Sequence, residues 1–146
     1  MTTQPLLVVS DTNALIPLAV SQTERAKTLR QAWAERHFAL FVTPFIMAEF
    51  ERVLRYPRVR RNHGLTEAVI QRIVTLVWDR AYILSGDYDV HHIGVDPTDN
   101  IFLACALEAG ADYLVSGDEH LRQLKYYYGT QIISLAQFAE ILNKLH

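Results

Sequence analysis

The stretch LLVVSDTNAL, at residues 6–15, decides the fold of this chain. Its first half, LLVVS at 6–10, is a short continuous apolar run, which predicts a buried strand of a parallel sheet. Asp11 follows this strand directly, and an apolar helical pattern begins near Asn13. In open parallel sheets, ligands bind in the crevice beyond the carboxyl ends of the strands. The stretch therefore predicts a strand–helix unit with an acid at the binding edge of a sheet.

The alternation of strands and helices continues through the rest of the chain. Further strands are predicted at 38–42, 82–84, 113–116 and 132–133. Helices are predicted at 13–20, 23–36, 43–55, 66–80 and 134–144, with another from Asp96-Pro97 to Gly110 and a short one within 117–123. This alternation predicts an α/β fold with three layers, α/β/α, around a central, mostly parallel sheet of four to five strands. We expect a single domain over 1–146, because nothing in the sequence marks a boundary.

The bulk composition excludes several classes of protein. Half of the 146 residues are hydrophobic and 21% are charged, as in globular domains. No segment offers the roughly 20 uninterrupted apolar residues that cross a bilayer, and the first residues lack the features of a signal peptide. The one cysteine, Cys105, cannot form an internal disulfide. We expect a cytoplasmic protein without a membrane partner.

Four acids occupy positions that the predicted sheet would bring to one edge. Asp11 follows the first strand, Asp118 comes two residues after the strand that ends at Ser116, and Asp99 lies in the first turn of a helix. Glu49 lies inside the helix after the second strand, beside apolar neighbours, where a carboxylate needs a compensating partner. These acids are the candidate site residues.

Each acid also has a purely structural interpretation. Asp11 and Asp118 could cap the helices that follow them, and Asp96 with Asp99 fits a variant of the capping box. Glu49 could form a surface pair with Arg52. The four acids on one expected edge favour a shared site over four separate caps.

Carboxylates brought close together repel one another and must take up protons or cations at neutral pH. Oxygen ligands alone favour Mg²⁺ or Mn²⁺ over Zn²⁺. Mg²⁺ binds readily through carboxylates together with substrate phosphate. The acids therefore indicate hydrolysis of a phosphodiester.

The motifs in this order resemble the PIN-domain family of ribonucleases over nearly the whole chain. The resemblance is carried by Asp11-Thr12-Asn13 after a strand, by a helical glutamate in PFIMAEF, by the acid that heads DPTDNIFLACALEAGADYLVSGD, and by Ser116-Gly117-Asp118. The spacing of Asp96 and Asp99 is similar to that in the branch of VapC-like toxins from toxin–antitoxin pairs. Ser116 stands where the family often has threonine, and it keeps the hydroxyl group.

The resemblance implies a role for each residue that matches a motif. It implies an RNA substrate, a metal-coordinating catalytic set, and supporting residues that orient the set or extend it. It also implies an antitoxin partner and a homodimer. The implied metal ligands are Asp11, Glu49, Asp99 and Asp118, and the implied supporting residues are Asn13, Ser116 and Asp96.

A basic cluster follows the helical glutamate. Five of the fourteen Lys and Arg residues fall within ten positions, although the net charge is −2; they are Arg52, Arg55, Arg58, Arg60 and Arg61. Guanidinium groups suit contact with the phosphate backbone of RNA. A solvated surface, or a face for a protein partner such as an antitoxin, explains the cluster equally well.

The remaining candidate residues give weaker indications of a function. His91-His92 and His120 lack the spacing of metal ligands. The run at 126–128, three tyrosines, could stack on unpaired bases, but packing against the domain or a second subunit is the preferred interpretation. Trp33 and Trp78 are expected to be core residues.

Two other functions compete with a ribonuclease. The first is an inactive PIN-type module that binds RNA or a protein without cutting. The second is a phosphatase of the haloacid dehalogenase type, which also places an aspartate after the first strand. That mechanism usually needs a second aspartate where this chain has Asn13, and a lysine between Lys27 and Lys125, where there is none.

Overall fold

One sheet organises the molecule. The computed structural model describes residues 4–92 and 96–146. Its strands are β1 (Leu6–Ser10), β2 (Phe38–Val42), β3 (Tyr82–Ile83), β4 (Tyr113–Val115), β5 (Tyr126–Tyr127) and β6 (Thr130–Ile133). They form a six-stranded sheet in the order β3-β2-β1-β4-β6-β5, and every neighbouring pair is parallel except β5 with β6. The predicted, mostly parallel sheet is confirmed, with β5 as an additional strand.

Helices fill the connections between the strands. They are α1 (Thr12–Val20), α2 (Glu24–Ala34), α3 (Pro44–Leu54), α4 (Pro57–His63), α5 (Glu67–Arg80), α6 (Asn100–Ala109), α7 (Glu119–Arg122) and α8 (Leu135–Leu145). A single 3₁₀ turn at Pro97–Asp99 precedes α6. The prediction of one helix from Asp96-Pro97 to Gly110 therefore merges two elements, although its end at Gly110 is right.

Helix α4 was not predicted from the sequence. Pro57 occupies its first turn, and Gly64 ends it with a positive φ of 60°. None of its residues is buried, so it lacks the apolar periodicity by which a helix is recognised in sequence. The basic cluster thus spans the end of α3 and this short helix.

The strand order determines which helices cover each face of the sheet. The chain moves outward from β1 to β2 and β3, and then returns past β1 to β4 and β6. Because crossover connections are right-handed, this reversal of direction places α6 on the face opposite α1 to α3. The arrangement is the expected three-layer α/β/α fold. The reversal point lies between β1 and β4, and in open α/β sheets such a point creates a crevice at the carboxyl ends of the strands.

The core lies on both faces of the central strands. Val8 and Val9 of β1 alternate between the two faces and are both fully buried. On one face, the ring of Phe38 stacks on Trp33 and meets Phe138 edge-on, with ring centroids 6.4 Å and 5.0 Å away. Trp33 is buried as predicted, whereas the prediction for Trp78 is wrong, because this side chain is 37% exposed.

Local signals for helix starts are accurate. Thr43 caps α3 by accepting a hydrogen bond from the amide of Ile46 at 3.2 Å, with Pro44 in the first turn. Ser134 and Gln137 form a reciprocal capping box at the start of α8. Within the described residues, no helix has the length and apolar character needed to span a bilayer.

Candidate active site

Asp11 lies at the reversal point of the sheet, directly after β1. Its backbone amide donates to the carbonyl of Val115 at 2.9 Å, which extends the pairing of β1 with β4 by one residue. The carboxylate is buried and accepts four hydrogen bonds: from the amide of Ala14 at 2.9 Å, from the Ser116 hydroxyl at 2.5 Å, and from the Gly117 amide at 3.1 Å to each oxygen. Asp11 therefore caps α1 and also links β1 to the loop after β4.

Burial and hydrogen bonding act on Asp11 in opposite directions. Burial raises the pKa of the Asp11 carboxyl, the bonds from Ser116, Gly117 and Ala14 lower it, and the nearby charge of Asp118 raises it again. The net result is a pKa above the ordinary value of an aspartate. Among the described residues, the negative charge of Asp11 is thus held by neutral donors and not by a neighbouring cation.

Ser116 positions the acids on both sides of it. Its hydroxyl oxygen accepts from the amide of Asp118 at 3.0 Å while its proton is directed at Asp11, 2.5 Å away. Asp118 in turn accepts from the amide of His120 at 2.9 Å and caps α7. The carbonyl of Ser116 accepts from the guanidinium of Arg122 at 2.8 Å. The loop after β4 is therefore fixed from several directions.

Asp99 is the acid that responds most strongly to its neighbours. Burial and the charges of Asp118, Asp11 and Asp96, in that order, raise its pKa to about 6. The carboxyl groups of Asp99 and Asp118 lie close enough to share a proton, which raises this pKa further. Unlike Asp11 and Asp118, Asp99 accepts no capping hydrogen bond from the helix that follows it. Its carboxylate therefore faces the other acids without a structural partner among the described residues.

Asp96, which the sequence suggested as an extra ligand or a cap, takes the second role. Its side chain accepts from both the amide and the hydroxyl of Thr98, at 3.0 Å and 2.9 Å. These bonds lower the pKa of this exposed carboxyl. Asp96 thus begins the 3₁₀ turn that carries Asp99, and its charge adds to the repulsion at Asp99.

Glu49 is connected to the start of α1 through Thr12, and no described contact joins it to the other three acids. The Thr12 hydroxyl donates to one Glu49 oxygen at 2.8 Å, and the other oxygen lies 3.9 Å from the guanidinium of Arg52. Because Thr12 follows Asp11 directly, this bond ties α3 to the start of α1. The predicted pair with Arg52 is present, and the link to Thr12 exists beside it.

The donor set fits a divalent cation in charge and in ligand type. Asp11, Asp99 and Asp118 take part in no ion pair within residues 4–92 and 96–146, so their mutual repulsion has no basic side chain to offset it. In that same part of the chain, no three His, Cys, Asp or Glu side chains are gathered tightly enough to hold a metal ion by themselves. Mg²⁺ does not require such a cage, since it usually keeps several waters and uses one or two carboxylates. Asp99 and Asp118 are two neighbouring carboxylates of the kind that can bind Mg²⁺ together with water.

Sequence reasoning assigned no role to Thr12 or Gly117. A Cβ atom on Gly117 would lie 2.8 Å from the Cβ of Asn13, so only glycine lets the loop after β4 approach α1 this closely. Its position between Ser116 and Asp118, directly after a strand, was a usable signal. Thr12 lies inside the D-T-N motif, but its partner Glu49 is 37 positions away. Asn13 is exposed, and its side chain makes no hydrogen bond to the acids in the described structure.

The basic cluster divides into engaged and unengaged side chains. The guanidinium of Arg55 donates hydrogen bonds to the Glu67 carboxylate at 2.8 to 3.2 Å, and these bonds lower the pKa of Glu67. Arg55 also lies 3.8 Å from Glu51. Arg60 approaches the carbonyl of Leu65 at 3.5 Å. Arg58 and Arg61 form no ion pair with any described residue.

The remaining polar candidates have local partners. His91 pairs with Asp89 at 2.8 Å, and the ring of His92 meets Tyr127 edge-on at 5.6 Å. None of the histidines belongs to a metal-binding group in the described part of the chain. Cys105 is buried, and burial raises the pKa of its thiol to about 12. Tyr127 is partly buried, whereas Tyr126 and Tyr128 are 62% and 81% exposed.

Comparisons with known proteins bear on the family and the fold of this chain. A family model described as the PIN domain matches residues 7–120, and the chain belongs to that family. Among solved structures, VapC20 of Mycobacterium tuberculosis, described as a toxin that cleaves the sarcin-ricin loop, superposes with a TM-score of 0.54. The match covers 83% of this chain and 97% of that one at 12% identity, and at this identity it establishes the fold alone. No curated protein matches by sequence.

Proposed function

We propose that this chain is a metal-dependent endoribonuclease that hydrolyses phosphodiester bonds of RNA, and that it is the toxin component of a toxin–antitoxin pair. One observation supports this most strongly. Asp11, Asp99 and Asp118 come from three separate parts of the chain, and burial together with the charges of Asp118, Asp11 and Asp96 raises the pKa of Asp99 to about 6. Membership of the PIN family and the fold shared with a toxin that cleaves the sarcin-ricin loop support the same function.

The proposed catalytic and metal-binding residues are Asp11, Glu49, Asp99 and Asp118, with Mg²⁺ or Mn²⁺ as the cation. When bound, the cation would supply charge neutralisation for the phosphate and activation of a water. Ser116 and Gly117 hold the carboxylate of Asp11 in place through hydrogen bonds. Thr12 holds one oxygen of Glu49 and leaves the other directed at Arg52. The site is therefore organised before substrate arrives.

The proposed path for RNA begins at the acids and continues along the basic cluster. Arg52 lies beside Glu49, and the unengaged side chains of Arg58 and Arg61 follow on α4. Phosphate contacts of this kind position RNA without reading its sequence. Arg55 is assigned a structural role, since its guanidinium already binds Glu67. An antitoxin that covered the same surface would block the access of RNA to the acids.

The alternative is a PIN-type module that binds RNA or a protein without cutting. Asp11 favours it, because this buried carboxylate already accepts four hydrogen bonds, and Asp118 and Asp96 are caps as well. A catalytically silent domain could keep these acids for their structural roles.

Cleavage of a labelled single-stranded RNA by purified protein separates the two functions. Wild-type protein, Glu49→Gln and Glu51→Gln would be compared in Mg²⁺, in Mn²⁺ and in EDTA. Glu51 lies on the same helix and faces Arg55, so its variant is the matched control. Cutting that needs the metal, survives Glu51→Gln and is lost in Glu49→Gln supports the nuclease. RNA binding without metal-dependent cutting would favour the silent module.

A further inference from the structure

Phe45 is an exposed aromatic side chain that is nevertheless held in place. It is 56% exposed and lies one turn before Glu49 on the same face of α3. Its ring rests on Gly86, where a Cβ atom would come within 2.8 Å of the ring carbon Cδ2. Gly86 has a φ of +76°, a conformation that other residues rarely adopt. Glycine at this position thus allows the ring and the loop backbone to touch.

The loop that supports Phe45 is itself anchored to α6. The Glu108 carboxylate accepts from the amide and hydroxyl of Ser85, at 3.2 Å and 2.9 Å, and from the amide of Gly86 at 3.0 Å. One acid therefore fixes two successive residues of the loop. The exposed ring of Phe45 therefore lies against a loop whose backbone is held by hydrogen bonds.

A cavity of about 360 Å³ opens beside the Phe45 ring. Its walls include Phe45, Tyr88, Pro97, Asn100 and Ile101. The volume lies within the usual range for ligand pockets, from about 300 Å³ upward. The side-chain oxygen Oδ1 of Asn100 accepts a hydrogen bond from the backbone amide of His92 at 3.1 Å. No Lys or Arg of the described chain lines the cavity, and the one histidine in its wall, His91, is paired with Asp89 at 2.8 Å, so the wall offers little attraction to a phosphate group.

The cavity is lined by residues from two of the elements that carry the acids. Pro97 and Asn100 lie on either side of Asp99 in the sequence, and Phe45 is one helical turn from Glu49. A strand whose phosphate lies at the acids would therefore have a neighbouring base within reach of the Phe45 ring.

We propose that this cavity is a pocket for an unpaired nucleobase of the RNA substrate, with the ring of Phe45 as its stacking surface. The inference rests on the proposed function, and it assigns the base next to the cleaved bond to a defined place. Aromatic rings bind bases through stacking because every base presents a π-face. An apolar wall with few polar groups suits a base better than it suits the sugar–phosphate backbone.

The test is binding of a short single-stranded RNA that carries 2-aminopurine, a base whose fluorescence falls when it is stacked. Binding in EDTA keeps the measurement independent of cutting. Wild-type protein should bind and quench the probe. Phe45→Ala should weaken binding by about 5- to 100-fold and restore the fluorescence. Phe45→Leu, which keeps apolar bulk without a π-face, should behave similarly, and Phe45→Tyr should resemble wild type.

Tyr126→Ala provides the matched control, since Tyr126 is 62% exposed and lies on β5, outside the cavity. It should bind within twofold of wild type. The proposal would be overturned if the probe bound to wild-type protein were not quenched, or if Phe45→Leu bound RNA within twofold of the wild-type affinity. The cavity would then be a docking surface for a protein or a surface depression without a ligand. Cutting by wild-type protein alongside that result would leave the nuclease intact. Quenching without cutting in any metal would sink the nuclease and keep the pocket.

Discussion

Neutralising Asp99 should stabilise the metal-free protein. Its pKa rises from 3.8 to about 6 in the folded state, a difference of roughly two units. Each unit corresponds to about 1.36 kcal/mol, which sets an upper bound near 3 kcal/mol. Asp99 is partly exposed, so screening by solvent reduces the expected gain for Asp99→Asn to about 1–2 kcal/mol. For a chain of this size, this corresponds to a rise of roughly 3–6 °C in Tm.

The effect should depend on pH in a defined direction. A carboxyl group whose pKa is raised on folding destabilises the folded protein at pH values above the folded pKa. The difference between Asp99→Asn and wild type should therefore be full at pH 8. It should shrink as the pH falls through about 6 and disappear below 3.8. The reason is that Asp99 is then protonated in both folded and unfolded chains.

Thermal unfolding in EDTA at pH 8 and pH 5 measures both parts of this prediction. Asp79→Asn is the matched control, because it removes the same charge from an exposed position on α5. Added Mg²⁺ should stabilise wild type more than Asp99→Asn, since ligand binding adds stability only where the site exists. Equal Tm values for wild type and Asp99→Asn at pH 8 in EDTA would refute the repulsion at Asp99.

Two further changes test the supports of the site. Ser116→Ala removes the hydroxyl that donates to Asp11, so the free energy of unfolding should fall by about 2 kcal/mol and RNA cleavage should decrease. Ser116→Thr keeps the hydroxyl and should preserve both stability and cleavage. A fully active alanine variant would remove Ser116 from the site. Replacing Arg58 and Arg61 together by alanine should weaken RNA binding and lower the magnitude of its salt slope by about 1–1.5. In contrast, Arg55→Ala should chiefly destabilise the fold, and an unchanged salt slope in the double variant would end the assignment of α4 to RNA.

The sequence predicted the parts of the fold that local chemistry controls. The apolar run of β1, the cap and proline that start α3, and the glycine that ends α6 are all visible within a few residues. These signals sufficed for the strand–helix alternation and hence for the layers. The sheet order required knowledge of which strands pair, and no local signal contains that.

The elements that were missed have no buried stripe of their own. Helix α4 buries none of its residues, and β5 has only two residues. β5 exists because Tyr128 and Gly129, with φ values of 46° and 85°, turn the chain back onto β6. A positive φ at a tyrosine is not expected from sequence, because its side chain disfavours that conformation. Tertiary pairing outweighs local preference there.

The acids illustrate why a site is harder to predict than a fold. Each was explained equally well as a cap or a surface pair, and the structure contains those caps and that pair. What distinguishes Asp99 is its partial burial together with the charges of Asp118 and Asp11, which come from distant parts of the chain. That environment depends on β1 and β4 being neighbours, and the sequence alone does not state that they are.

Binding of Mn²⁺, followed by the electron paramagnetic resonance signal of the free ion, tests most directly whether these acids form one cation site. Wild-type protein and Asp79→Asn should remove Mn²⁺ from solution in a saturable manner at pH 8. Asp99→Asn should bind at least about tenfold more weakly, and wild-type affinity should fall as the pH drops below about 6. Saturable binding of equal strength in wild type and Asp99→Asn, or no binding by wild type, would contradict the site and return the acids to their roles as caps.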